Sequence, residues 1–419
     1  MTTTTASRCV LAAHILLVAA CCAALGIRAQ TQQQQRGGCR FARLFSFGDS
    51  ITDNGNWLRY VSSPGGVASS PYGDTFFRRP TGRFCDGRII IDYVGELSCP
   101  CSSHQRTYVR PVLTRMPRVP CVIDRAADAL GLPFLTPYLA GNSSRDFANG
   151  ANFAVGGATA LGKDYFTAKN VDDGFTPSLQ GQVTWFKNVT RMLATDEQGL
   201  SDLMASSLFL VGEIGGNDYN RPLFGGKSVD EVTTYIPDVV AAISSAVTEL
   251  IGLGAKTIVV PGNFPIGCSP GYLTMFPTHD TAQFDATGCL RWANHLAVLH
   301  NSALVVELAR IRRRHPGVAV VYADYYSAVV DLVANPGEQG FGDQPLVSCC
   351  GGGGPYNVNF SVQCGTSRST ACSDPGAAVS WDGFHFTEHA YKVIADGVLQ
   401  GPYAVPSILT SCGIAGTGL

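Results

Sequence analysis

The chain has 419 residues, 45% of them hydrophobic and 15% charged. That is enough apolar material for one large core or two modest ones. A formal net charge of −2, with no long block of like charge, leaves no electrostatic footprint for nucleic acid.

In chain order, the first element concerns address rather than fold. Arg8 precedes the apolar run CVLAAHILLVAACCAALGI, followed by RAQTQQQQ. A positive residue, a short apolar stretch and a small residue near Ala29 read as a secretory signal over residues 1–29. The alternative is an uncleaved single-span anchor. His14 within the run and the Gln-rich exit favour cleavage. No later stretch reads as long and apolar enough to cross a bilayer, so no membrane span is expected in the secreted protein. Three of the fifteen cysteines lie in the leader, and those from Cys39 onward suit an oxidising compartment. Three N-x-[ST] sequons, at Asn142, Asn188 and Asn359, point the same way and mark expected glycosylation sites.

Residues 30–42 read as a flexible lead-in to a domain over 43–405, with a tail at 406–419. RLFSF (Arg43–Phe47) reads as a strand that runs into GDSITDNGN. The segment from Glu96 to Arg125 holds five arginines, three cysteines and four prolines without periodicity. It reads as a surface insertion or as sequence from a misjoined gene, since its flanks IIIDYV and ADALGLPFLTPYL would close up smoothly. NFAVGGATA follows at Asn152 to Ala160. SLFLVG (Ser207 to Gly212) reads as a strand opening onto EIGGNDYN. Val229 to Leu253 has helical periodicity and a C-cap in Gly254. Lys256 to Gly262 reads as a strand, Asp280 to Arg314 as a helix with a basic end, and Val318 to Asp324 as a further strand. Thr387 caps a last helix, Thr387 to Leu399. The strands are short, continuous Val/Ile/Phe/Leu runs, as buried parallel strands are. Strands alternating with helices predict an α/β fold with a mostly parallel sheet, whose sites gather at the C-terminal strand ends.

The chemistry-bearing stretches fall at those ends. Ser50 in GDS directly follows a strand, so its hydroxyl would project into the crevice. Its amide would sit at the first turn of the next helix and could stabilise an oxyanion. Read alone, GDS is more simply a turn in which Asp49, Ser50 and Asn54 cap backbone groups. In SWDGFHFTEHAY, Asp382 and His385 are three apart. A D-x-x-H turn lets the carboxylate accept from Nδ1–H and leaves Nε2 to act as a base. Alone, that turn is an acid at a helix N-terminus beside an incidental histidine. Asn217, freed by Gly215 and Gly216, could point its amide into the crevice as an oxyanion donor. Gly156 and Gly157 could offer a backbone N–H with no Cβ in the way.

Together, in this order, these stretches resemble the plant GDSL esterase/lipase family of SGNH-type hydrolases. The resemblance runs from about Arg43 to about Tyr403 and rests on FGDSITDNGN, NFAVGGATAL, GEIGGNDY, PGNFPIGC, CCGGGGPYN and WDGFHFTEHAY. The last three look most like secreted plant esterases acting on acetylated sugars, small phenolic esters and alkaloid esters. The resemblance implies a three-layer α/β/α architecture with a mostly parallel, flavodoxin-like, five-stranded sheet. It implies Ser50 as nucleophile, His385 as general base and then acid, and Asp382 as the group that orients His385. The implied oxyanion hole uses the Ser50 N–H, the Asn217 side chain and a glycine N–H, with Gly156 favoured over Gly157. No metal or organic cofactor is implied. The expected partner is a small-molecule or polysaccharide ester, acted on by a monomer. An acyltransferase or lipase would share every one of these residues. A reading from another class is a carbohydrate- or wall-binding protein with an idle site.

Rival signals are weaker. Gly267-Cys268-Ser269-Pro270-Gly271 matches G-x-S-x-G, but prolines separate Ser269 from the preceding strand and a long loop is expected before the next helix. Cys268 is more naturally a disulfide partner, with Cys289 the candidate. CCGGGG at Cys349 to Gly354 reads as a disulfide-held loop, with Cys364 and Cys372 as partners in unassigned order. His295 and His300 are five apart, off one helical face, which speaks against a zinc pair. Cys85 reads as a free thiol.

Overall fold

The computed structural model describes residues 41–95, 133–171 and 176–408. The expected signal, most of the lead-in, the insertion and most of the tail lie outside the described residues.

The sheet is built from β1 (Arg43–Phe47), β2 (Thr136–Pro137), β3 (Gly150–Asn152), β4 (Ser207–Val211), β5 (Thr257–Pro261) and β6 (Ala319–Ala323), with β9 (Ala404–Val405) at one edge. Between β6 and β9, β7 (Cys350–Gly351) and β8 (Thr370–Ala371) form a separate two-stranded pair. The main sheet runs β2-β3-β1-β4-β5-β6-β9 and is parallel except where β9 meets β6. The five-stranded expectation thus matches the parallel centre, and two edge strands of two residues each extend it to seven. Edges this short carry no hydrophobic run for a sequence pattern to register.

Every residue of β4, β5 and β6 is buried. Period-2 alternation sorts the side chains into two cores. Phe45, Phe47, Phe209, Ile258 and Val260 face one side. There they meet α2 (Leu179–Leu193), α4 (Ile236–Gly252) and α5 (Arg291–Arg314) through Phe186, Ile243 and Leu304. Leu44, Leu208, Leu210, Val259 and Val321 face the other. They meet α1 (Ile90–Gly95), α6 (Tyr325–Ala334) and α7 (Glu388–Leu399) through Ile90, Val329 and Ile394. Each such fully buried side chain contributes about 1.5–3 kcal/mol against exposure. The result is helix, sheet, helix.

Two helices differ from expectation. The stretch read as Val229 to Leu253 is broken: a short helix, α3 (Val229–Thr233), ends before α4 begins at Ile236. Pro237 lacks an N–H and so suits the first turn of a helix, not its interior. Gly254, at φ +112°, closes α4 as predicted. By length and composition, Val229–Gly252 would also pass as a membrane span, contrary to the sequence reading; its apolar face packs into the core through Val239, Ile243, Val247 and Leu250. The helix read from Asp280 starts only at Arg291. Asp285 Oδ1 accepts from the Thr287 and Cys289 amides, and Cys289 is tied to Cys268 by a disulfide, so this stretch is held in turns.

Candidate active site

The polypeptide leaves β1 through Gly48, whose φ is +142°. A Cβ here would sit 2.9 Å from the Glu213 carbonyl oxygen, so the close passage of two strand ends admits glycine alone. Gln182 from α2 locks the exit, accepting from Gly48 N–H and donating back to Gly48 O. Ser50 then sits in a single turn closed by Asp53 N–H on Asp49 O. The next helix, Trp57–Tyr60, is only one turn long and does not begin at Ser50. The expected helix-dipole contribution is therefore replaced by that of an isolated turn, and the Ser50 N–H has no acceptor among the described residues.

Ser50 Oγ lies 2.8 Å from His385 Nε2. His385 Nδ1 lies 2.8 and 2.9 Å from the two oxygens of Asp382. With Nδ1–H directed at the carboxylate, Nε2 is left to accept from the serine hydroxyl, the arrangement that general-base activation requires. Asp382 Oδ1 also accepts from the Phe384 and His385 amides, so the D-x-x-H turn is self-bracing. Burial alone would raise the Asp382 pKa, but the charge and hydrogen bonds of His385 and these amides together hold it below the usual carboxylate value. Phe84 covers the imidazole, its ring centroid 4.8 Å from that of His385.

The two glycines differ. Gly156 N–H donates to Asp53 Oδ2 at 2.8 Å and is engaged. Gly157, at φ +75°, has no acceptor for its N–H among the described residues, while Arg221 Nη2 holds its carbonyl. The geometry thus favours Gly157 over Gly156 as a donor, the reverse of the sequence-based preference. Asn217 Nδ2 donates to Ala158 O at 3.0 Å and to Asp49 Oδ2 at 3.1 Å. Ser50, Gly157, Asn217 and His385 all line one cavity of about 340 Å³. Its walls are mostly apolar, with Trp57, Phe84, Phe264, Phe384 and Phe386 among them.

Several carboxylates at the site carry more than the sequence suggested. Asp49, read as shaping the turn, does accept from Ile51 N–H, but it also anchors Asn217. Burial raises its pKa to about 6 beside Glu213, and burial with the Asp49 charge pushes Glu213 well above the ordinary value. Asp53 accepts from the amides of Gly55, Asn56, Trp57 and Gly156. Asp218 accepts from Ala160 and Leu161. Neither was singled out from the sequence, although each stands one residue from an asparagine in a motif that was. Tyr72, whose hydroxyl reaches Asp382, gave no sequence signal.

The rival features settle into structure. Ser269 lines the same cavity, but its hydroxyl donates to Gly383 O. A helix, Pro270–Met275, follows it directly, where a long loop was expected. Cys268 pairs with Cys289 as anticipated, and the unassigned pairs are Cys349–Cys372 and Cys350–Cys364. Cys85 is free and buried. His295 is exposed and His300 buried on Tyr219, on different faces of α5.

The family model for GDSL-like lipase/acylhydrolase matches residues 44–398. A GDSL esterase/lipase of Arabidopsis thaliana is 43% identical over 375 residues, covering 89% of this chain and 87% of the relative. Another from the same plant is 42% identical over 381 residues, covering 89% and 88%. A sinapine esterase of Brassica napus is 40% identical over 378 residues, covering 89% of each. With its sheet, its strand-end loops and these relatives in agreement, the chain belongs to the GDSL-like lipase/acylhydrolase family and is a carboxylic ester hydrolase.

Proposed function

We propose that Ser50, His385 and Asp382 form the catalytic triad of a secreted esterase that works through an acyl-enzyme. The observation that carries this reading is the continuous chain Asp382–His385–Ser50, with contacts of 2.8 Å on both sides of the imidazole, at the wall of the cavity. Ser50 Oγ attacks the ester carbonyl carbon as its proton passes to His385 Nε2. The resulting oxyanion is met by the N–H groups of Ser50 and Gly157 and the amide of Asn217. The carbon–oxygen bond to the alcohol then breaks, and His385 returns the proton to that oxygen. Water repeats the sequence on acyl-Ser50, giving the carboxylic acid and free serine. Asp382 keeps the imidazole in the tautomer this needs.

The acyl group is short in the simplest reading, with acetyl esters of wall polysaccharide as the substrate class. The cavity supports a second reading. Its volume of about 340 Å³ and aromatic lining exceed what an acetyl group fills. Sinapine, named for the Brassica napus relative, is therefore a second substrate to assay. The protein is taken to act in the extracellular space, on the strength of its leader, sequons and disulfides.

Ser50→Ala tests the nucleophile. The variant should keep the unfolding midpoint of the parent and lose hydrolysis of p-nitrophenyl acetate together with labelling by a fluorophosphonate. Retained turnover or labelling would overturn the assignment. Comparing acetate release from acetylated xylan with hydrolysis of sinapine separates the two substrate readings.

A further inference from the structure

We infer that Tyr72 is a positioning residue of the triad, acting through Asp382; this rests on the reading of Ser50, His385 and Asp382 given above. Tyr72 lies 310 positions before Asp382, yet its hydroxyl is 2.8 Å from Asp382 Oδ2. The side chain is only 5% exposed. Its ring meets Trp381 edge-on, with centroids 5.8 Å apart. Both belong to a small buried cluster with Val67, Cys349, Cys350 and Cys364, so two disulfides back the ring.

Counting acceptor positions shows what the hydroxyl adds. Oδ1 of Asp382 takes the amides of Phe384 and His385, both from its own turn. Oδ2 takes the Tyr72 hydroxyl and shares the imidazole N–H with Oδ1, at 2.8 and 2.9 Å. Tyr72 is the one donor to this carboxylate from outside the 382–385 turn among the described residues. With two amides on Oδ1, the phenol on Oδ2 and the imidazole N–H between them, the carboxylate is fixed about its terminal bond. Without the phenol, Oδ2 would keep only its share of the imidazole N–H, and the group could swing. The phenol also draws off part of the negative charge that would otherwise act wholly on the imidazole.

Burial, and then the Asp382 charge, push the Tyr72 phenol well above its ordinary range, so it stays a donor. The other titratable groups acting on Tyr72 are Cys85 and Tyr391, each pushed well above its ordinary value by burial and so neutral. His385 is faced by Asp382 and, more distantly, by Asp49. Deleting the hydroxyl changes none of these charges. It leaves a more basic carboxylate opposite His385, which favours the protonated imidazole.

Tyr72→Phe keeps the ring on Trp381 and removes only the donor. We expect kcat/KM for p-nitrophenyl acetate to fall about 10-fold, mostly in kcat, and its acid limb to move up by about half a pH unit. Replacing Tyr72 with 3,5-difluorotyrosine strengthens the donor in the same space and should move the limb downward. This second variant also decides the matter should Tyr72→Phe fold poorly. In an Asp382→Asn background, Tyr72→Phe should have little further effect on kcat, because it acts through that carboxylate. An acid limb that stays put in both variants, or full additivity with Asp382→Asn, would overturn the inference and leave Tyr72 a packing residue. That outcome is distinct from failure of the triad itself, which would show as activity surviving Ser50→Ala.

Discussion

Asn217→Ala should lower kcat about 100-fold with little change in KM. Removing one oxyanion donor typically costs about 100- to 1000-fold, because the charge it meets exists only in the transition state. The resting geometry places this site at the lower end. Both hydrogens of Asn217 Nδ2 are already engaged, by Ala158 O at 3.0 Å and by Asp49 Oδ2 at 3.1 Å. A developing oxyanion must therefore compete with Asp49 for one of them, so its net gain is smaller than that from an idle donor. Folding should also lose: the two Nδ2 hydrogen bonds at this partly buried side chain, one to a carboxylate, are worth about 1–3 kcal/mol together. Steady-state hydrolysis of p-nitrophenyl acetate gives kcat and KM, and urea unfolding gives the stability. A loss in kcat below about 5-fold in the folded variant would refute Asn217 as a donor. A loss confined to KM would mean that it binds the ground state instead.

Two further outcomes follow from burial. Asn142 and Asn359 are exposed, whereas Asn188 lies within α2, bonded to Arg191, beside a buried Thr190. Peptide mapping of protein from a secreting host should find glycans at Asn142 and Asn359 and none at Asn188; occupancy at Asn188 would contradict the burial argument. Burial also raises the Asp218 pKa to about 7, against its amide partners and Arg221. The folded state then holds a proton that the unfolded chain releases near pH 4, so stability falls as pH rises from about 4 to about 7. Asp218→Asn should remove part of that decline, on the order of a few kcal/mol, in urea midpoints measured at pH 5 and 8. His300 opposes the trend, since burial lowers its pKa to about 4 and the unfolded imidazole gains a proton below about 6.5; an equal slope in parent and variant would show that Asp218 does not carry the effect.

What the sequence disclosed was what is local. β1, β4, β5 and β6 are covered on both faces, so their residues are mostly apolar and easily read. The D-x-x-H turn closes within four residues, and its amides bond to its own carboxylate. Features that join distant segments left little trace. Tyr72 and Asp382 meet only because the chain between them folds, and no spacing encodes that. The choice between Gly156 and Gly157 depends on which amide Asp53 engages, a contact spanning 103 positions. The start of α5 was misplaced because Asp280 to Leu290 has helix-compatible composition, whereas a disulfide and the Asp285 turn dictate its path.

Three buried carboxylates tie the three strand-end loops into a ring. Asp53 of the first loop holds Gly156 of the second. Asp218 of the third holds Ala160 and Leu161, again of the second. Asp49 of the first holds Asn217 of the third. Burial raises the pKa of Asp49 and Asp53 to about 6 and that of Asp218 to about 7, so near neutral pH each ionised joint weakens the fold it sits in. Apolar residues of similar volume would avoid that cost, as they often do for buried charges. They would also release the amides of Gly156, Ala160 and Leu161 and the side chain of Asn217, the parts that set the position of the Gly157 N–H and the Asn217 amide. Oxyanion stabilisation depends on donors held in place before the charge forms. On the roles proposed for Gly157 and Asn217, the carboxylates are intelligible as joints that give up stability to keep the donors in register. Under the proposed mechanism, acidification would act on the donors too, because it changes the charge of the carboxylates that hold them.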